Sequence, residues 1–131
     1  MKTPLIKLQF LVLASILIIQ GCSQKTPVKL EFNVGLDQML TKEAIDGRIV
    51  LLISNNNESE PRFQLNDGPR SQLGYGMDVE GLKPNDKVLF NNNVFGYPIE
   101  NMDNIPPGVY YIQAVLNRYE TYNLSTGHTV K

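Results

Sequence analysis

Ile105-Pro106-Pro107-Gly108-Val109-Tyr110-Tyr111-Ile112-Gln113-Ala114-Val115-Leu116 is the stretch whose reading decides the fold. Pro107 presets the backbone angle that a turn needs and Gly108 tolerates angles that other residues resist, so the pair predicts a tight turn. The run that follows is rich in β-branched, aromatic and aliphatic side chains, and Val109–Leu116 is long enough for a central strand of a sheet. Downstream, Arg118–Leu124 is expected to be its partner strand, with Ser125-Thr126-Gly127 turning the chain toward His128–Lys131.

Upstream, Lys29-Leu30-Glu31-Phe32-Asn33-Val34 alternates polar and apolar residues, which places Leu30, Phe32 and Val34 on one buried face of a strand. Leu36, Met39, Leu40 and Ile45 fall near helical spacing before Gly47, so a short helix or helical turn is expected within 36–46. Ile49–Ile53 is a continuous aliphatic run, the pattern of a strand covered on both faces. Asn55–Glu60 is too polar to bury and ends at Pro61, so it reads as an exposed loop. Phe63 and Leu65 flank Gln64 in a further short strand, closed by Asn66-Asp67-Gly68-Pro69, and Met77-Asp78-Val79-Glu80 alternates again. Gly81-Leu82-Lys83-Pro84-Asn85-Asp86 has Pro and Asn in the order of a tight turn leading to the strand Lys87–Phe90. Asn91-Asn92-Asn93 is a second polar loop, and Tyr97-Pro98 to Asn104 reads as irregular.

Turn signals thus recur every ~8–12 residues, the rhythm of an antiparallel sandwich. The expected fold is all-β, mainly antiparallel, with at most one short helix near 36–46. A tyrosine at the start of a long strand, after a corner, resembles the penultimate strand of immunoglobulin-like and fibronectin-like domains, whose tyrosine hydroxyl bonds back to that corner. The resemblance implies an immunoglobulin-like β-sandwich; a barrel or a mixed fold stays open as the alternative.

The amino terminus decides location. Lys2 and Lys7 precede the apolar run Phe10–Ile19, and Ile19-Gln20-Gly21-Cys22 follows it. This resembles a bacterial lipoprotein signal with its lipobox. Gln20 departs from the small or apolar residue usual there. The apolar run falls short of the roughly 20 residues that span a bilayer, which favours a cleaved signal over an anchor helix. The resemblance implies cleavage between Gly21 and Cys22 and a diacylglyceryl group on the Cys22 thiol, with palmitate among the attached chains. One acyl chain holds a protein to a membrane only marginally, whereas two or more anchor it stably. The division expected is a signal peptide over 1–21, a polar tether over 22–27 and a β-domain over 28–131. The residues after Cys22 are Ser23, Gln24 and Lys25, so in a cell with two membranes the outer one, facing the periplasm, is the expected destination.

Cleavage would leave 110 of the 131 residues, enough for one small core, with 10 basic and 13 acidic side chains and a net charge of −3. No cluster of Lys and Arg gives a nucleic-acid footprint. Cys22 is the only cysteine, so with its thiol lipidated the body has no disulfide and must be held by burial and backbone pairing.

Gly47–Leu52, Pro61-Arg62-Phe63, Gly76–Val79, Gly96-Tyr97-Pro98, Ile105–Tyr122 and Gly127–Lys131 together are similar to the N-terminal region of large exported bacterial proteins whose later portion is an esterase of the α/β-hydrolase class. The resemblance implies an accessory β-domain only. It breaks off within Thr129–Lys131, where an unfinished sheet edge is expected and the domain would be truncated. No hydrolase triad residue carries over, and the chain has no Gly-x-Ser-x-Gly elbow.

His128, the single histidine, reads as a surface residue rather than a catalytic base, and one histidine with a lipidated cysteine cannot supply a zinc set. Glu58, Glu60, Asp67 and Asp78 offer oxygen ligands without the spacing of a calcium loop, so they read as solvated. Tyr75, Tyr97, Tyr119 and Tyr122 are amphipathic rings that could form a platform for a sugar, with core or sheet-face packing as the plainer alternative. The sequence therefore points to a lipid-anchored, non-catalytic module of the cell envelope with an interaction or accessory role and no cofactor. Its partners would be the membrane, through Cys22, and a downstream hydrolase domain or an envelope protein. Two alternatives stand beside it: the leading fragment of an esterase-like hydrolase, and a carbohydrate-binding module.

Overall fold

The computed structural model describes residues 29–68 and 70–130. The signal segment, Gly21, Cys22 and the tether lie outside the described residues. The body is all-β and antiparallel: β1 (Phe32–Gly35), β2 (Ile45–Ser54), β3 (Leu73–Leu82), β4 (Lys87–Phe90), β5 (Gly96–Tyr97), β6 (Tyr111–Arg118), β7 (Tyr122–Asn123) and β8 (Thr129–Val130). One sheet has the order β5-β3-β2-β6, a second pairs β1 with β4, and β7 with β8 forms a separate hairpin.

The long ladder of β2 and β3 runs from Ile53 opposite Leu73 to Gly47 opposite Val79, with a register shift between Ile45 and Gly47. Strand alternation then sorts the side chains by face. Ile45, Ile49, Leu51 and Ile53 of β2 meet Leu73, Tyr75, Val79 and Leu82 of β3 in one core. Phe90 closes that core from β4, and Phe32 and Val34 pack on it from β1. Two layers thus share one hydrophobic interior. Leu52 is also buried but lies on the opposite face of β2, which explains the unbroken aliphatic run Ile49–Ile53.

β1, β4 and the turn that leads from β3 into β4 follow the sequence reading. The amide of Asp86 donates to the Lys83 carbonyl at 3.0 Å, and Asn85 has φ 69°, which the second central position of a type II turn requires. At the corner before β6, the hydroxyl of Tyr110 donates to the Pro106 carbonyl at 2.7 Å, the bond back to the corner that its position implied.

Four expectations are corrected. No helix forms in 36–46: Asp37 accepts the Met39 amide through its side chain and the Leu40 amide through its carbonyl, a local turn that competes with a helix. Phe63 and Leu65 are not in a strand, since Pro61–Phe63 is a short 3-10 turn and both side chains are exposed. Val109–Leu116 is not central: the strand begins at Tyr111, and β6 lies at the sheet edge with β2 on one side only. Ile112 is 51 % exposed although it faces inward opposite Ile53, while Leu116 farther along the same strand packs against the core. Finally, Arg118–Leu124 does not pair with β6; β7 turns back onto β8 through Gly127 at φ 81°, in a separate two-stranded hairpin in which Thr129 and Val130 pair with β7.

Candidate functional site

The outer face of the four-stranded sheet carries a groove of about 380 Å³, and the sequence explains its shape. On β3, Gly74 and Gly76 flank Tyr75, so alternation puts the tyrosine into the core and leaves bare backbone on the other face. Val50 of β2, opposite Gly76, completes the floor. Leu65, Asn66 and Asp67 form one wall, and Tyr97 of β5 stands at the other side, opposite Gly74 in register.

The wall is held in place by polar side chains. The Arg62 amide donates to Gln113 Oε1 of β6 at 3.1 Å, and the Asn66 amide donates to Ser71 Oγ at 3.1 Å. Ser54, fully buried, has its Oγ 2.8 Å from both the Asn56 carbonyl and Gln64 Oε1. These bonds satisfy the loop's polar atoms where it crosses the sheet and set Leu65 beside Leu52 and Gly74.

At the far end of the same face, Arg48 lies flat across Gly76. A methyl group built on Gly76 would sit 2.6 Å from one guanidinium nitrogen of Arg48, so only glycine leaves room for this path. The guanidinium donates to Asp78 Oδ1 at 2.8 Å, and the hydroxyl of Tyr119 donates to the same oxygen at 2.7 Å. The Tyr119 bond and the Arg48 bond together hold the Asp78 carboxyl below its usual range, while Asp78 raises both Arg48 and Tyr119. Asp78 is thus a carboxylate that orients two donors on a surface, since these groups are largely exposed and the pair adds little to stability.

The four tyrosines singled out from sequence do not make one platform. Tyr75 is fully buried, its hydroxyl donating to the Ile99 carbonyl at 2.8 Å, and burial pushes its pKa up to about 12. Tyr97 and Tyr119 serve the groove from its two ends. Tyr122 belongs to the β7-β8 hairpin, where it bonds Glu120. Glu60 pairs with Arg62 and accepts from Gln113, Asp67 lines the groove, and His128 is exposed beside β8. Among the described residues, no three of His, Cys, Asp and Glu come together as a metal set. Sequence reasoning missed Arg48, Gly74 and Gly76; the available signal was Gly74-Tyr75-Gly76 within a strand, where alternate glycines mark a face approached by another group.

No protein family, curated protein or solved structure is matched by the chain.

Proposed function

We propose that the chain is a lipid-anchored module of the bacterial cell envelope that binds rather than catalyses, with the outer face of the β5-β3-β2-β6 sheet as its working surface. The observation that carries this reading is the groove itself: a glycine floor, an aromatic ring at one side and an Arg48–Asp78–Tyr119 network at one end. A protein using this sheet only as scaffold has no need to keep two glycines in the middle of a long strand, where each weakens the strand. The anchor rests on Gly21-Cys22 and the apolar run before it. An immunoglobulin-like sandwich is the topology proposed for the body, supported by the Tyr110–Pro106 corner bond.

Two measurements test the proposal. Growth with labelled palmitate should label the wild-type chain and leave a Cys22→Ala variant unlabelled; equal labelling removes the anchor. A photoreactive amino acid in place of Asp67 should yield cross-links in living cells that the same probe at Met39, on an exposed loop away from the groove, does not. Equal yields at the two positions remove the groove as a working surface.

A second reading, an accessory β-domain beside an esterase-like hydrolase, is favoured by β6. Tyr111 and Ile112 on that strand and Val109 before it are all large exposed hydrophobics, and a neighbouring domain would cover them.

A further inference from the structure

The composition of the groove narrows what can occupy it. Its charged lining side chains are one cation, Arg48, and one carboxylate, Asp67, and the charge of Arg48 is already met by Asp78 beside the groove. An anionic ligand would meet more repulsion than attraction there, which sets aside phosphates, nucleic acids and acidic chains. A purely apolar ligand would strand polar atoms of Arg48, Asn66 and Asp67 away from water, at a cost for each unsatisfied group. The remaining class offers hydroxyls that both donate and accept, together with an apolar face.

Tyr97 supplies the surface for such a face. The residue is 51 % exposed and pairs with Gly74 in register, yet the nearest groups to a side chain at Gly74 are Leu65 and Leu52, so the tyrosine is not spent in covering the glycine. An amphipathic ring held at the lip of a glycine floor, with Leu65 beside Gly74 and Arg48 across Gly76, presents a half-apolar platform with polar partners around it.

We infer that this groove binds a neutral saccharide, one sugar ring stacked on Tyr97 and its hydroxyls bonded to the polar side chains from Asn66 and Asp67 across to Arg48. The inference rests on the binding reading above and names its ligand class. Asp78 and Tyr119 act here as positioning residues, because they hold the Arg48 guanidinium across the floor.

The test is affinity electrophoresis of the full chain in detergent micelles, through native gels containing xylan, mannan, a β-glucan, polygalacturonate or no polysaccharide. Retardation by at least one of the three neutral polysaccharides and none by polygalacturonate is expected. Tyr97→Ala should weaken it about ten-fold or more, as loss of a stacking platform does. Gly74→Val should abolish it by filling the floor, while its β-branched side chain suits the strand and the thermal midpoint holds. Tyr122→Ala, on the separate hairpin, should bind as wild type. The inference is overturned by no retardation in any neutral gel, by retardation in polygalacturonate alone, or by retardation that survives both Tyr97→Ala and Gly74→Val. Failure in the gels with cross-links at position 67 removes the saccharide and keeps the binding face; failure of both removes the face as well.

Discussion

Tyr75 and Gly96 show how closely single residues fix the core beneath the groove. A methyl group on Gly96 would come within 2.2 Å of the Tyr75 ring, so Gly96→Ala forces either the ring or β5 to move. Overpacking of this kind costs about 1–3 kcal/mol, and a lowered urea midpoint would register it. Tyr75→Phe tests the other end of the same side chain. It keeps the ring, leaves the Ile99 carbonyl without its donor, and should cost about 1 kcal/mol at neutral pH. The alkaline limb separates the two effects. The Tyr75 hydroxyl ionises near 10 when the chain is unfolded and near 12 when buried, so the unfolded state loses its proton first and stability falls as pH rises from 10 to 12. Over that window the contribution is roughly 2–3 kcal/mol, and Tyr75→Phe should show a correspondingly shallower loss of thermal midpoint. An unchanged alkaline slope would show that Tyr75 is not the group responsible.

Strands β2 and β6 illustrate what periodicity can and cannot reveal. Leu51 and Ile53 are about 1 % and 2 % exposed in the middle of the sheet, and truncating either to alanine should cost about 2–5 kcal/mol. Ile112, paired with Ile53 in register, is half in water, so Ile112→Ala should stay within about 1 kcal/mol of wild type. Urea denaturation of the two variants side by side checks the contrast, and equal losses would mean that β6 is covered in solution. The sequence made the strands legible, because a five-residue aliphatic run such as Ile49–Ile53 suits an interior strand of a sheet, although Val50 within it is only half-buried. It could not show which strand has a neighbour on each side, since Val109–Leu116 has a strand's composition whether it is central or at an edge. The 36–46 segment misled for a local reason: Leu36 and Ile45 are buried, but Met39 and Leu40 between them point to solvent around the Asp37 turn. The groove was partly legible. Tyr97 and Tyr119 were marked as candidates from chemistry, but the floor needed the register that sets Gly74 and Gly76 on one face with Arg48.

For the whole molecule, the proposed division of labour sets lipid at one end and a recognition face on the body, with no chemical step between them. The groove's ionisable side chains support this. Asp78 is occupied by Arg48 and Tyr119, which holds its carboxyl low and makes it a poor proton acceptor at neutral pH. A nucleophilic hydroxyl needs a base within hydrogen-bond reach, and Ser71 in the groove wall instead donates to the Gln72 carbonyl at 3.1 Å while accepting from the Asn66 amide. The full chain should therefore hydrolyse p-nitrophenyl acetate and butyrate no faster than its detergent buffer. The informative controls are Ser71→Ala, which removes the groove hydroxyl, and His128→Ala, which removes the sole imidazole. Turnover above the blank that either variant abolishes would replace the binding reading with a catalytic one and point to the residue responsible. Turnover unchanged in both would mark a contaminating esterase, which passage of the sample through a second purification step should then remove.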